Sequence, residues 1–207
     1  MKYLSFLFMM FCMSAIGSAQ SVNGSVVAVD KMNVLYYGID NPVTIGAPND
    51  WQHAVISITN GTISGSGSQR IVRPASVDQK TTITIDIQGK KTSYDFRVKK
   101  LPDPVFKIGS GKLRIPAAEF KSQVICRADP ENLHYNNVNF EVVSAIVYFS
   151  GANFEHVMTY TFHGNDLTSI QKLMEKCMPG TSISFCNIKV QGPDGVRTIP
   201  DRTFTLY

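Results

Sequence analysis

The stretch "TTITIDIQGKKTSYDFRV", Thr81 to Val98, constrains the fold of this chain more than any other. Ile83, Ile85 and Ile87 alternate with Thr82, Thr84 and Asp86; after a turn at Gly89-Lys90, Tyr94, Phe96 and Val98 alternate with Ser93, Asp95 and Arg97. Period two on both arms predicts a hairpin with one face on a core and one in water. Upstream, "HAVISITNGTISGSG" places Asn60-Gly61 between two short strands, a hairpin signal because both residues tolerate positive φ. The weaker pattern from Ser64 to Gln69 marks a candidate edge strand open to a partner strand. Further back, bulky residues from Met32 to Tyr37 run into Gly38-Ile39-Asp40-Asn41-Pro42, and Val43 to Ile45 follow. Asn41 precedes a proline and is pushed out of the helical region, and Gly38 permits a left-handed backbone. The chain therefore leaves one strand, bends and enters another, so the turn reads as a device that holds a β-module together. Short strands at this spacing predict a β-sandwich over residues 24–101. A charged fraction of 17% suits Thr/Ser-faced strands better than Glu/Lys-rich helices.

A break follows at "KKLPDPVFKIGSGK", Lys99 to Lys112, which Pro102, Pro104, Gly109 and Gly111 punctuate. Residues 105–207 form a second β-rich domain with one or two short helices. Pro116 opens a short helix in "IPAAEFKSQ". "VNFEVVSAIVYFSG" is apolar on both parities, which predicts a central strand covered on both faces. In "NDLTSIQKLMEKCMPG" Asp166 can cap a helix near 166–178, with Leu167, Ile170, Leu173, Met174 and Cys177 as its apolar stripe. The apolar parity shifts from Ile183/Phe185 to Ile188/Val190, which predicts a bulge near Cys186 or Asn187.

Residues 1–19 read as a signal peptide: Lys2, then the apolar run Tyr3 to Ile16, then Gly17-Ser18-Ala19. That run is shorter than the ~20 residues of a membrane span, which argues against an uncleaved anchor. Cys12 inside it, with bulky Phe11 before it, does not suit lipid attachment. The mature chain is then exported, with no span of its own. It keeps Cys126, Cys177 and Cys186. Two readings stand: a Cys177–Cys186 disulfide with Cys126 as a buried thiol, or three buried small apolar side chains.

Signals for chemistry are thin. The net charge of +4 is spread along the chain and does not suggest nucleic acid. His53, His134, His156 and His163 are scattered, and no cysteine set has zinc spacing. Asp129 and Glu131 lie in a turn-like "DPEN", a weak place for a carboxylate pair with separated roles. No serine sits in a nucleophile elbow, and "GTISGSGSQ" lacks the lysine and helix of a phosphate loop. No catalytic residue, metal or cofactor is assigned, and the chain reads as a non-enzyme. Trp51, Tyr36 and Tyr37 are the candidate partner-binding residues, since Trp and Tyr favour interfaces.

In order, "KMNVLYYGIDNPVTI", "SITNGTIS", "FRVKKLPDPVFKIG", "NFEVVSAIV" and "IKVQGPDGVRTI" resemble the C-terminal periplasmic region of the GldM/PorM family. That family is a core component of the gliding motor and type 9 secretion system of Bacteroidota. The resemblance covers nearly the whole mature chain. It implies a mainly β protein of two tandem domains, the first immunoglobulin-like and the second sandwich-like. It also implies a homodimer and envelope partners of a secretion or gliding assembly, in the periplasm, at the outer membrane or at the cell surface. The family's membrane helix with its buried carboxylate has no counterpart in the short "QSVNGSVVAV" segment, so this chain is expected to be a stand-alone copy of the far end. The alternative is a glycan- or small-ligand-binding β-sandwich with Trp51 and Tyr36 or Tyr37 as an aromatic platform.

Overall fold

The structure, a computed structural model, describes residues 33–46, 54–131, 133, 135 and 138–207. The signal-peptide reading, Trp51, His53 and His134 lie outside the described residues.

The first domain contains β1 (Val34–Tyr36), β2 (Asn41–Thr44), β3 (Ala54–Ile58), β4 (Thr62–Ser66), β5 (Gln69–Arg73), β6 (Thr81–Ile87) and β7 (Lys90–Lys99). They form a four-stranded sheet in the order β1-β7-β6-β3 and a three-stranded sheet in the order β2-β5-β4. Grouping the second, fourth and fifth strands against the third, sixth and seventh is the arrangement of an immunoglobulin constant-type sandwich. Here β1 adds to the second group by pairing parallel with β7. Leu35, Ile45, Val72, Ile83 and Ile85 from both sheets make the core. Their burial is what the alternation of β6 demands, with Thr82, Thr84 and Asp86 on the other face.

The β6–β7 hairpin forms as expected, with its turn one residue earlier, at Gln88 (φ 52°) and Gly89 (φ 86°). Positive φ at both positions matches the twist of the flanking strands. Ser64 to Ser66 lie on β4, an edge of its sheet, while Gln69 opens the central β5.

The hairpin expected at Asn60-Gly61 does not form. β3 pairs β6 and β4 pairs β5, so this dipeptide carries the chain from one sheet to the other. Asn60 is buried; its amide donates to the carbonyls of Ser76 (2.9 Å) and Gln79 (3.0 Å) and accepts from the Ser76 N–H (3.1 Å). The Thr81 hydroxyl donates to the Asn60 carbonyl at 3.0 Å. Gly61 has φ 119°, and a Cβ there would lie 2.1 Å from the Arg73 carbonyl oxygen. Local propensity for positive φ is satisfied, but a sheet-to-sheet corner uses it.

The second domain contains β8 (Val105–Ile108), β9 (Arg114–Ile115), α1 (Ala117–Lys121), β10 (Cys126–Asp129), β11 (Glu141–Gly151), β12 (Met158–His163), α2 (Gln171–Lys176), β13 (Thr181–Gly192), β14 (Gly195–Ile199) and β15 (Arg202–Leu206). Its main sheet runs β12-β11-β13-β15-β9, with β14 beside the second half of β13; β8 and β10 form a separate antiparallel pair. A large core joins this sheet to both helices through Phe106, Phe120, Phe149, Phe162, Phe185 and Phe204.

The expected bulge is present. The register of β11 against β13 steps from Ser144↔Lys189 to Ile146↔Cys186, and Asn187 has φ 48°. The expectation that β11 is covered on both faces is corrected. A second register shift lies between Val142 and Ser144. It joins Phe140 and Val142 to Ala145, Val147 and Phe149 on a single buried face. The other side holds half-buried Ile146 and Tyr148. A displaced strand, not double burial, made both parities apolar.

Asp166 caps as expected, accepting the Thr168 N–H at 2.7 Å, but what it caps is a 3-10 turn, Thr168–Ile170, that leads into the short α2. Leu167, Ile170, Met174 and Cys177 are buried as the stripe requires.

Gly61→Ala is expected to cost about 3 kcal/mol, because it adds a backbone clash to a strained φ. Gly67→Ala, where φ is 56° but the space is open, is expected to cost about 1 kcal/mol. Urea denaturation midpoints of the two variants check the difference.

Candidate functional site

The described residues with the most specific chemistry sit at the joint between the domains. The turn Gly38 to Asn41 lies against the β13–β14 turn and the segment after β7. Asn41 is 1% exposed. Its oxygen accepts the Tyr36 N–H at 2.7 Å, and its amide nitrogen donates to the carbonyls of Tyr36 (2.8 Å), Ile39 (3.0 Å) and Val72 (3.2 Å). The Tyr135 hydroxyl, from the second domain, also points at the Asn41 oxygen, at 3.4 Å. With Asn41 closing the turn, Ile39 is turned outward from its own sandwich and buried in the core of the second domain. Gly38 (φ 85°) permits the approach: a Cβ there would lie 2.8 Å from the backbone of Pro193 and Asp194.

Leu101 completes the joint. Its N–H donates to Asp194 Oδ2 (3.0 Å), and its carbonyl accepts from Arg197 Nη1 (2.6 Å). Arg197 Nη2 bonds Asp194, Nη1 also reaches Asp103 Oδ1 at 3.0 Å, and the guanidinium sits 5.4 Å from the Phe140 ring centroid. The Asp194 carboxylate is fully enclosed and Arg197 is 14% exposed. Such a pair is held by hydrogen bonds on both partners, and removing one strands the other.

The site residues expected from the sequence are dispersed. Tyr36 is half-buried, with its ring edge-on to Tyr135 at 5.6 Å, and packs against the second domain's core. It thus faces the joint, away from any platform with Tyr37. Tyr37 is half-buried, and its N–H donates to the Lys99 carbonyl at 2.9 Å. Trp51 lies outside the described residues. Asp129 and Glu131 converge on Lys107 Nζ at 3.4 and 2.9 Å, and Asp129 also takes Arg127. The hydrogen bond that Lys107 Nζ donates to Glu131 is the main reason that the Lys107 pKa rises. This is an ion-pair network of two carboxylates and two cations.

The Cys177–Cys186 bridge is corrected: Cys126, Cys177 and Cys186 are free thiols. Cys177 points into the core below α2, whereas Cys186 has the parity of Ser182 and Ser184 on the outer face of β13. The sheet lies between the two thiols. Burial pushes Cys126 and Cys177 up to about 12, and burial together with nearby Asp201 raises Cys186.

An apolar groove of about 280 Å³ opens in the first domain between Val43, Ile45, Ile83, Ile85, Tyr94 and Phe96. Among the described residues, no group of three or more His, Cys, Asp or Glu could hold a metal, and no helix is long and apolar enough to cross a membrane.

Sequence reasoning placed Asn41 in a structural turn but missed its part in the joint, and it missed Asp194 and Arg197. The available signal was the pair of turns "GIDNP" and "GPDGVR", each pairing glycine with a short polar side chain. Nothing in their spacing says that the two turns meet.

Residues 25–99, about a third of the chain, match the family model described as GldM third domain. The match ends just before Leu101 and supports the resemblance to a GldM/PorM C-terminal region. No curated protein matches the chain.

Arg197→Ala is expected to cost about 3 kcal/mol, since it leaves Asp194 enclosed and unpaired. It should also speed native-state trypsin cleavage after Lys99 and Lys100, read by mass spectrometry of the two halves. Native alkylation at pH 8 should label Cys186 well ahead of Cys126 and Cys177. The two buried thiols keep their protons in the folded state to about 12, above the ordinary 9.0. Their contribution is therefore complete below pH 9 and is lost as pH rises toward 12. A Tm–pH series should fall in that window, and less steeply for Cys177→Ala.

Proposed function

We propose that this chain is a non-catalytic, exported protein–protein interaction module of a type 9 secretion or gliding assembly. It would act in the periplasm or at the inner face of the outer membrane. The observation that carries this reading is the match of residues 25–99 to the GldM third domain. The joint supports it. Ile39, Asn41 and the clamped Leu101 hold the second domain against a domain of that type, so both are presented as one rigid surface. Tyr37 and Trp51 are the proposed partner anchors, with Tyr36 setting the joint on which Tyr37 stands. A homodimer belongs to the same proposal.

No catalytic role is proposed for the groove, whose lining is apolar apart from Asn33, Thr44, Gly46 and the phenol of Tyr94. In-cell crosslinking of the tagged chain in its native envelope, followed by mass spectrometry, should recover secretion or gliding components. Tyr37→Ala and Trp51→Ala should each reduce that recovery several-fold, in line with the weight that aromatic anchors carry. Recovery of no envelope secretion component would remove the reading.

A further inference from the structure

Among the described residues, one place in the first sandwich has no strand. In the constant-type arrangement the first strand flanks the second at the edge of their sheet. Here β1 pairs with β7 instead, and β2 pairs only with β5 among the described residues. The Ile45 N–H donates to the Ser68 carbonyl at 2.9 Å, which extends the β2–β5 ladder by one residue. Backbone groups alternate sides along an antiparallel pair. Those of Val43 and Ile45 therefore face β5, and those of Pro42, Thr44 and Gly46 face the other way. Pro42 has no N–H to offer there, so a further strand can pair from Thr44 onward.

The apolar groove opens at that place. Val43 and Ile45 form one wall, and Ile83, Ile85, Tyr94 and Phe96 of the opposite sheet form the other. Ile45, Ile83 and Ile85 are buried, whereas Val43, Tyr94 and Phe96 keep partial exposure although they pack on the same core. Asn33 lies at the groove, and its carbonyl accepts the Arg97 N–H at 2.9 Å. The chain therefore reaches β7 from this side.

We infer that Val26-Val27-Ala28-Val29 seats at this groove as an edge strand beside β2 of the same chain, with Val27 and Val29 turned onto its apolar walls. Residues 25–32 lie outside the described residues, but the family match begins at residue 25, so the matched domain includes them. The segment is uncharged, and its three valines are β-branched, which suits a strand on an apolar surface. Residues two apart on a strand share a face, so Val27 and Val29 enter the groove together. The reach is sufficient: four links from Asn33 back to Val29 extend roughly 13 Å, against the ~10 Å between packed sheets. Attachment selects this occupant over a free strand, because a short tether holds it near the groove at roughly millimolar effective concentration. Seated there, it makes the groove packed interior and removes it as a pocket for a small ligand. The inference rests on the family match, and neither on the homodimer nor on any envelope partner.

The test uses the full exported chain. Hydrogen exchange read by NMR should find the Thr44 amide about 100-fold slower than in a free chain, as an amide inside a ladder is. Val27→Asp combined with Val29→Asp sets two carboxylates against apolar walls. That double variant should return Thr44 to the free-chain rate while the second domain keeps its protection. Val26→Asp, on the outer face, should leave Thr44 slow. Val27→p-benzoylphenylalanine keeps the site apolar, so it tests the contact even if the double variant unfolds the first domain. On irradiation it should crosslink to peptides between Ile83 and Phe96. In a mixture of light and heavy-isotope chains, each such crosslink should join peptides of one label. Fast Thr44 exchange in the unmodified chain, slow exchange in the double variant, or lost protection in Val26→Asp would overturn the inference. So would the absence of a crosslink to the groove, and so would mixed-label crosslinks, which assign the strand to a second copy. Recovery of secretion components bears on the proposed function alone.

Discussion

A single buried amide, that of Asn41, governs how the halves of this protein meet. It satisfies backbone groups of β1, of its own turn and of β5 in the opposite sheet. A buried polar side chain with that many partners is costly to disturb, because each group left behind has lost its water as well as its bond. The geometry it imposes turns Ile39 outward, and the second domain's core closes over it. Leu101, gripped at its N–H by Asp194 in the β13–β14 turn and at its carbonyl by Arg197 on β14, fixes the other side of the same contact. Inter-domain motion is the default for tandem domains with small polar interfaces. Here an apolar plug and an enclosed ion pair oppose it.

That rigidity bears on function more than any single surface residue. Cys126 and Cys177 are buried structural thiols, Asp129 and Glu131 share the ammonium group of Lys107, and the enclosed Asp194 is paired with Arg197 at the joint. A fixed two-domain block is instead suited to presenting surfaces at a set spacing.

Much of the fold was legible because period-two patterning is local. The β6–β7 hairpin, the bulge at Asn187 and the cap at Asp166 each follow from side chains within a few residues of one another. The errors share a cause. Asn60-Gly61 has the φ preferences of a hairpin turn, yet the hydrogen bonds that decide its use come from Ser76, Gln79 and Thr81. β11 looked doubly buried because a register shift at Val143 mimics apolarity on both faces. Cys177 and Cys186 are close in sequence but end on opposite sides of a sheet.

The order of residues alone determined that the chain would be built of short amphipathic strands and which faces of most of them turn inward, since alternation and turn chemistry act over a few residues. Only the tertiary structure decided that the "GIDNP" turn would lock onto "GPDG" some 150 residues later, that Tyr36 would face Tyr135, and that β12 would end its sheet among the described residues. Those outcomes depend on which elements come together in space. Hydrogen-bond complementarity and close backbone approach across long sequence separations leave no periodic trace in the chain.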